Sequence, residues 1–200
     1  MPRVLVTAFE PYDVWSENAS WLALVELTRD LPVRPEVTTR LYPVDYAEMR
    51  KRLERDLAAG YDFALHLGQA PGAAVIELES IGINAASIGE VAGECKPLVD
   101  DGPVAYRSSL PLGAWAVGLR ESGIPARVSY HAGTYLCNAT LYLSHYIAER
   151  QRLATRSVFI HLPLETRQII PHPKPLASMP RQVTAQALRQ ILVNLELPVT

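Results

Sequence analysis

The chain is predicted to fold as α/β: three layers, with helices on both faces of a twisted, mostly parallel central sheet. Three observations predict this. Short strand-like runs alternate with helix-like runs along the chain. The strand-like runs are nearly continuous in apolar residues, as in sheets covered on both faces. Several helix-like runs open at a capping residue or close at glycine. With 200 residues, 48% of them hydrophobic, the chain can bury one sizeable core, and residues 1–200 are read as one domain.

Taken in order, "RVLVTAF" (3–9) reads as a buried first strand. "NASWLALVELTRD" (18–30) is a helix with an Asn18 cap and an apolar repeat at Leu22, Leu24, Val25 and Leu27. "EVTTRLYPV" (36–44) is a strand. "DYAEMRKRLERDLAAG" (45–60) is a helix opened by Asp45 and closed by Gly60. "YDFALHLG" (61–68) is a strand, and "AVIELESIGIN" (74–84) an extended segment with rough alternation. Residues 85–109, rich in Gly, Asp and Pro, form a long loop or hairpin-like excursion. "LPLGAWAVGLRESG" (110–123) is a helix, "PARVSYH" (125–131) a short strand, 137–150 a helix and "SVFIHLP" (157–163) a strand. The last helix is 180–197, with Pro180 at its start.

The bulk properties exclude several classes. The net charge of −2 and scattered Lys and Arg give no nucleic-acid footprint. Glu10 and Asp13 interrupt any secretory apolar region, and "LPLGAWAVGL" is too short to span a bilayer. A soluble cytoplasmic protein with no membrane partner is expected. Two cysteines make no disulfide framework, and five histidines show no metal spacing; CxxC and HExxH are absent. No metal or organic cofactor is expected.

In an open α/β sheet, ligands bind beyond the carboxyl ends of the strands. Four side chains bear on chemistry there. Cys137 falls at a helix start, where unpaired N–H groups and the dipole favour a thiolate. A free cysteine among Leu136, Ala139 and Leu141 is often simply a buried core thiol. His161 ends an apolar strand, which suits a ligand-facing imidazole or a satisfied core histidine. Glu77 and Glu79 share one face of a strand, and the pattern alone does not choose between them. A Cys–His pair needs only spatial proximity, with an acid to orient the ring. "GQAPG" (68–72) closes a strand but is neither a dinucleotide fingerprint nor a phosphate loop. His66 reads as structural and His172, in a Pro-rich loop, as surface.

At these residues the chain resembles the pyroglutamyl-peptidase family of cysteine exopeptidases. The family's "VLVTGFEPFGG…N" reads here "VLVTAFEPYDVWSEN"; "GxAGGR…ITPERVAIN" reads "GQAPGAAVIELESIGIN"; "SxxAGTxxCN" reads "SYHAGTYLCN"; and "FIHVP" reads "FIHLP". The resemblance implies Cys137 as nucleophile, His161 as base and Glu79 as the acid orienting it. It implies a lactam pocket with Phe9, Tyr12, Gln69, Tyr135 and Leu136. It further implies action on N-terminally pyroglutamylated peptides through a thioester, and a dimer or tetramer. The chain departs from the pattern at Asp13-Val14, where the family has Gly-Gly, and at Ala73, Ser80 and Gly89, where it has arginines. Those losses leave two alternatives open: a catalytically weak or repurposed member that binds a lactam or peptide ligand, and a thiol amidase of another acyl specificity.

Overall fold

The computed structural model describes residues 1–87 and 95–195. In chain order the elements are β1 (Arg3–Phe9), α1 (Ala19–Thr28), β2 (Glu36–Tyr42), α2 (Tyr46–Leu57), β3 (Phe63–Gln69), β4 (Ile76–Glu79), β5 (Ile81–Ile83) and β6 (Ala105–Arg107). They continue as α3 (Leu112–Glu121), β7 (Ala126–Ser129), α4 (Leu136–Arg150), β8 (Arg156–Leu162), β9 (Leu164–Glu165), α5 (Thr166–Ile169), β10 (Ser178–Met179) and α6 (Arg181–Asn194).

Six strands form the central sheet in the order β2-β1-β3-β8-β4-β7. The first four are mutually parallel; β4 and β7 run together but antiparallel to β8. The sheet is therefore mixed but largely parallel. Helices α1, α3 and α6 pack together on one face, and α2 and α4 on the other.

Strand periodicity divides the apolar residues between two cores. Val4, Val6, Ala8, Ile76, Leu78, Val158 and Ile160 join the α1/α3/α6 side. Leu5, Phe9, Ala64 and Phe159 join the α2/α4 side. By the same alternation Thr7, His66, His161, Glu77 and Glu79 face α4. His66 is fully buried, with Nδ1 2.8 Å from Thr7 Oγ1 and Nε2 3.1 Å from Ser144 Oγ.

The caps fall where the sequence places them: Asn18 accepts from Ser20 N at 3.0 Å, and Asp45 from Glu48 N at 2.9 Å. The segment 74–84 differs from expectation. It divides at Ser80 into β4, in the central sheet, and β5, in a separate antiparallel pair with β6. Ser80 serves both sides of the break. Its N–H donates to Ser129 O, and its carbonyl accepts from Ser108 N, both at 2.8 Å. Rough alternation reads the same for one strand as for two in different sheets.

The excursion 85–109 carries β6 and is fastened by Asn84, whose Oδ1 accepts from Leu98 N at 2.8 Å and Val99 N at 3.0 Å. Its residues 88–94, Gly89 among them, lie outside the described residues. The two-residue strands β9 and β10 are too short to leave a periodic signal. No helix among the described residues is long and apolar enough to cross a membrane.

Candidate active site

β8 delivers His161 near its carboxyl end, on the face that meets α4. The ring sits edge-on to Phe159, centroids 5.0 Å apart, and is 9% exposed. Because β4 runs antiparallel beside β8, Glu77 stands opposite His161 and Glu79 opposite Phe159. Glu79, fully buried, reaches diagonally to place Oε1 2.7 Å from His161 Nδ1. Its other oxygen, Oε2, has no hydrogen-bond partner among the described residues. Glu77 is paired with Arg127 of the neighbouring β7, whose Nε lies 2.9 Å from Glu77 Oε1 and whose Nη2 bonds the same oxygen.

Burial alone would push the His161 imidazole down. The Cys137 thiolate and the Glu79 carboxylate more than offset it, and the ring stays protonated up to about 10. The site therefore favours an imidazolium at neutral pH.

Cys137 is the second residue of α4. Tyr135, the preceding cap, makes no side-chain bond to the helix, so the first-turn N–H groups lack an intrahelical partner. The entry turn is set by Gly133, at φ 77°, whose N–H donates to His131 Nδ1 at 3.1 Å. Asn138, the next residue after Cys137, is fully buried and ties α4 to β5. It accepts from Ile83 N at 2.8 Å and donates to Ile83 O and Ala85 O at 2.9 and 2.8 Å.

The thiol reaches the sheet because β3 carries Gly68 there. A Cβ on that residue would lie 3.1 Å from Cys137 Sγ and 2.5 Å from Phe159 Cζ. A single glycine thus permits helix, strand and thiol to approach together.

Beside Cys137 is a small cavity of about 40 Å³. Phe9, Tyr12, Gln69, Tyr135 and Leu136 line it, together with Asn18, Val44 and Gly68. Gln69 is buried and its amide is oriented by its neighbours: Oε1 accepts from Ala19 N at 2.7 Å and Gln168 Nε2 at 2.8 Å. That leaves Gln69 Nε2 without an acceptor among the described residues. Burial, reinforced by the charges of Cys137 and Asp13, pushes the Tyr12 hydroxyl up to about 12, so it stays a neutral donor. Asn18, Val44 and Gly68 were missed by sequence reasoning. Gly68 closing a buried strand was the one available signal.

One expectation is corrected. A pyroglutamyl exopeptidase working through a thioester with a self-contained Cys137–His161–Glu79 triad does not match the grouping found. The compact cluster is His161 with two carboxylates, Glu77 and Glu79, one ligand atom from each within 4.8 Å of the others, and Cys137 is not part of it. The cause is register, which sets Glu77 across from His161 where the "ITPER" pattern has threonine. Of the missing arginines, Ala73 is half-buried and Ser80 is absorbed into backbone bonding, so neither replaces a cation.

A family model described as pyroglutamyl peptidase matches residues 2–196. A pyrrolidone-carboxylate peptidase of Clavibacter michiganensis is 38% identical over 202 residues, covering 97% of this chain and 94% of that protein. One from Erwinia tasmaniensis is 35% identical, covering 100% and 92%. Among solved structures, the pyrrolidone carboxyl peptidase of Fervidobacterium islandicum superposes with a TM-score of 0.92 at 32% identity, covering 98% of this chain and 99% of that one.

Proposed function

The chain belongs to the pyroglutamyl peptidase family, a peptidase by family and by fold, and from that premise we propose that it is a catalytically weakened member. Its ligands are peptides ended by a small lactam such as 5-oxoproline. The observation that carries this reading is the crowding of His161 by Glu79 and Glu77.

Binding draws on the cavity. A lactam has no charged amine, so it is gripped by shape and by neutral hydrogen bonds. Phe9, Tyr12 and Leu136 supply the walls. Gln69 Nε2, buried without an acceptor, is the donor for the lactam carbonyl, and satisfying it removes a desolvation cost. Tyr135, 46% exposed, lies at the mouth.

Chemistry falls to Cys137, with His161 as its charged partner. An imidazolium beside Cys137 stabilises a thiolate and can protonate the leaving amine. Glu77, across the sheet from His161, adds a second carboxylate beside the ring and so disfavours a thiolate partner, which slows acylation, and binding outruns turnover. Two free thiols, Cys95 and Cys137, support a reducing, cytoplasmic setting.

The test compares this chain with the Clavibacter michiganensis relative. Calorimetry measures binding of a pyroglutamyl amide, and a chromogenic pyroglutamyl amide measures turnover. Comparable binding with kcat at least tenfold lower at pH 7 supports the reading. Equal kcat overturns the weakening, and no binding overturns the ligand class.

A further inference from the structure

We propose that Glu77, Glu79 and His161 form a binding site for a divalent cation of the zinc class. One imidazole nitrogen and two carboxylate oxygens lie within 4.8 Å of one another. Imidazole with carboxylates suits zinc, whereas calcium and magnesium prefer all-oxygen sets.

A second, independent observation points to a ligand. The Glu79 side chain is 1% exposed, yet its Oε2 has no hydrogen-bond partner among the described residues. A buried carboxylate oxygen left unpaired is costly, and a cation satisfies it. Glu77 completes the set. Both bonds from Arg127 go to its Oε1, leaving Oε2 for the ion. Arg127 is 66% exposed and orients Glu77 from the rim, while Glu77 at 16% exposure leaves a path inward.

Occupation exchanges one bond for another at the ring. The ion takes the Nδ1 lone pair, and the Nδ1 proton leaves to solvent. The ring then keeps its remaining proton on Nε2, and because losing it would leave an imidazolate, the ring no longer exchanges protons at the thiol. Zinc bound here inhibits thiol chemistry; that consequence rests on the proposed function, whereas binding does not.

The test uses the full chain carrying Cys95→Ser and Cys137→Ala, so that no thiol competes for metal. Zn²⁺ is added by equilibrium dialysis and bound metal is counted. One ion per chain, with affinity weakened at least tenfold by Glu77→Gln and by His161→Gln in chains whose circular dichroism is unchanged, is the expected result. Absence of stoichiometric binding, or binding indifferent to Glu77→Gln, overturns the site. In the Cys95→Ser chain, Zn²⁺ should inhibit turnover, and Glu77→Gln should raise the half-inhibiting concentration at least tenfold. Binding without inhibition overturns only the inhibitory role. A chain that does not bind a pyroglutamyl amide overturns the proposed function, while the dialysis still decides the site.

Discussion

Glu77 stands across the sheet from His161, and Glu79, two residues on along the same face, holds the ring at Nδ1 with a 2.7 Å contact. The antiparallel entry of β4 beside β8 creates both relationships. A parallel β4 would present these side chains in a different register, and His161 would lose its acid.

Glu79→Gln keeps the shape of the contact and removes its charge. Because Glu79 helps to hold the imidazole protonated up to about 10, the variant's His161 should release its proton at a lower pH. NMR titration of the imidazole reads this directly. Turnover should fall by roughly 10²-fold, the lower range for losing acid–base positioning. An unmoved titration would show that Cys137 alone sets the ring's charge.

Gly68→Ala should be costly although alanine is small. The new Cβ would meet Phe159 at 2.5 and 2.6 Å and Cys137 Sγ at 3.1 Å, inside a packed strand. Overpacking of this kind costs about 1–3 kcal/mol. Urea denaturation should show the loss, and adding Phe159→Leu should recover part of it. Full stability in the single variant would mean that β3 and α4 can separate without penalty.

That crowding also shows what the sequence makes legible. Buried strands such as β1 and β3, and capped helices such as α1 and α2, follow from local apolar runs and from Asn18 and Asp45. The lining of the cavity by Phe9, Tyr12, Gln69, Tyr135 and Leu136 combines residues from five elements or loops, and only the resemblance joined them. The partnership of Glu77 with Arg127 and His161 lay beyond local pattern, because it depends on strand direction and register. Period-two alternation says which side chains share a face and nothing about which strand lies beside them.

The buried histidines predict acid lability. Burial pushes His66 down to about 3 and His145 down to about 4, below the unfolded value near 6.5. Their folded-state values are depressed, so the unfolded chain binds more protons on acidification. The stability tied to neutral rings is complete above about 6.5 and is lost as pH falls through 4 and then 3. Guanidinium midpoints should fall progressively between pH 6.5 and 4. His145→Phe keeps the ring against Tyr106 and removes an Nε2 that has no partner. It should flatten part of that slope and leave neutral-pH stability equal or up to about 1 kcal/mol higher. A slope unchanged by this variant would assign the whole effect elsewhere.

Asp13 holds a backbone position that the family pattern gives to glycine, and it takes φ 53°. Aspartate tolerates the left-handed region better than most residues, and a β-branched side chain tolerates it worst. Asp13→Val should therefore destabilise by about 1–2 kcal/mol, whereas Asp13→Gly should fold at least as well as the parent. The turn carries Tyr12, a wall of the cavity, so Asp13→Val should also weaken binding of a pyroglutamyl amide. Denaturant midpoints and calorimetric affinity measure the two effects separately. If Asp13→Val changed neither, the turn would be free to adopt an extended backbone without disturbing Tyr12, and the left-handed residue would carry no constraint on the pocket.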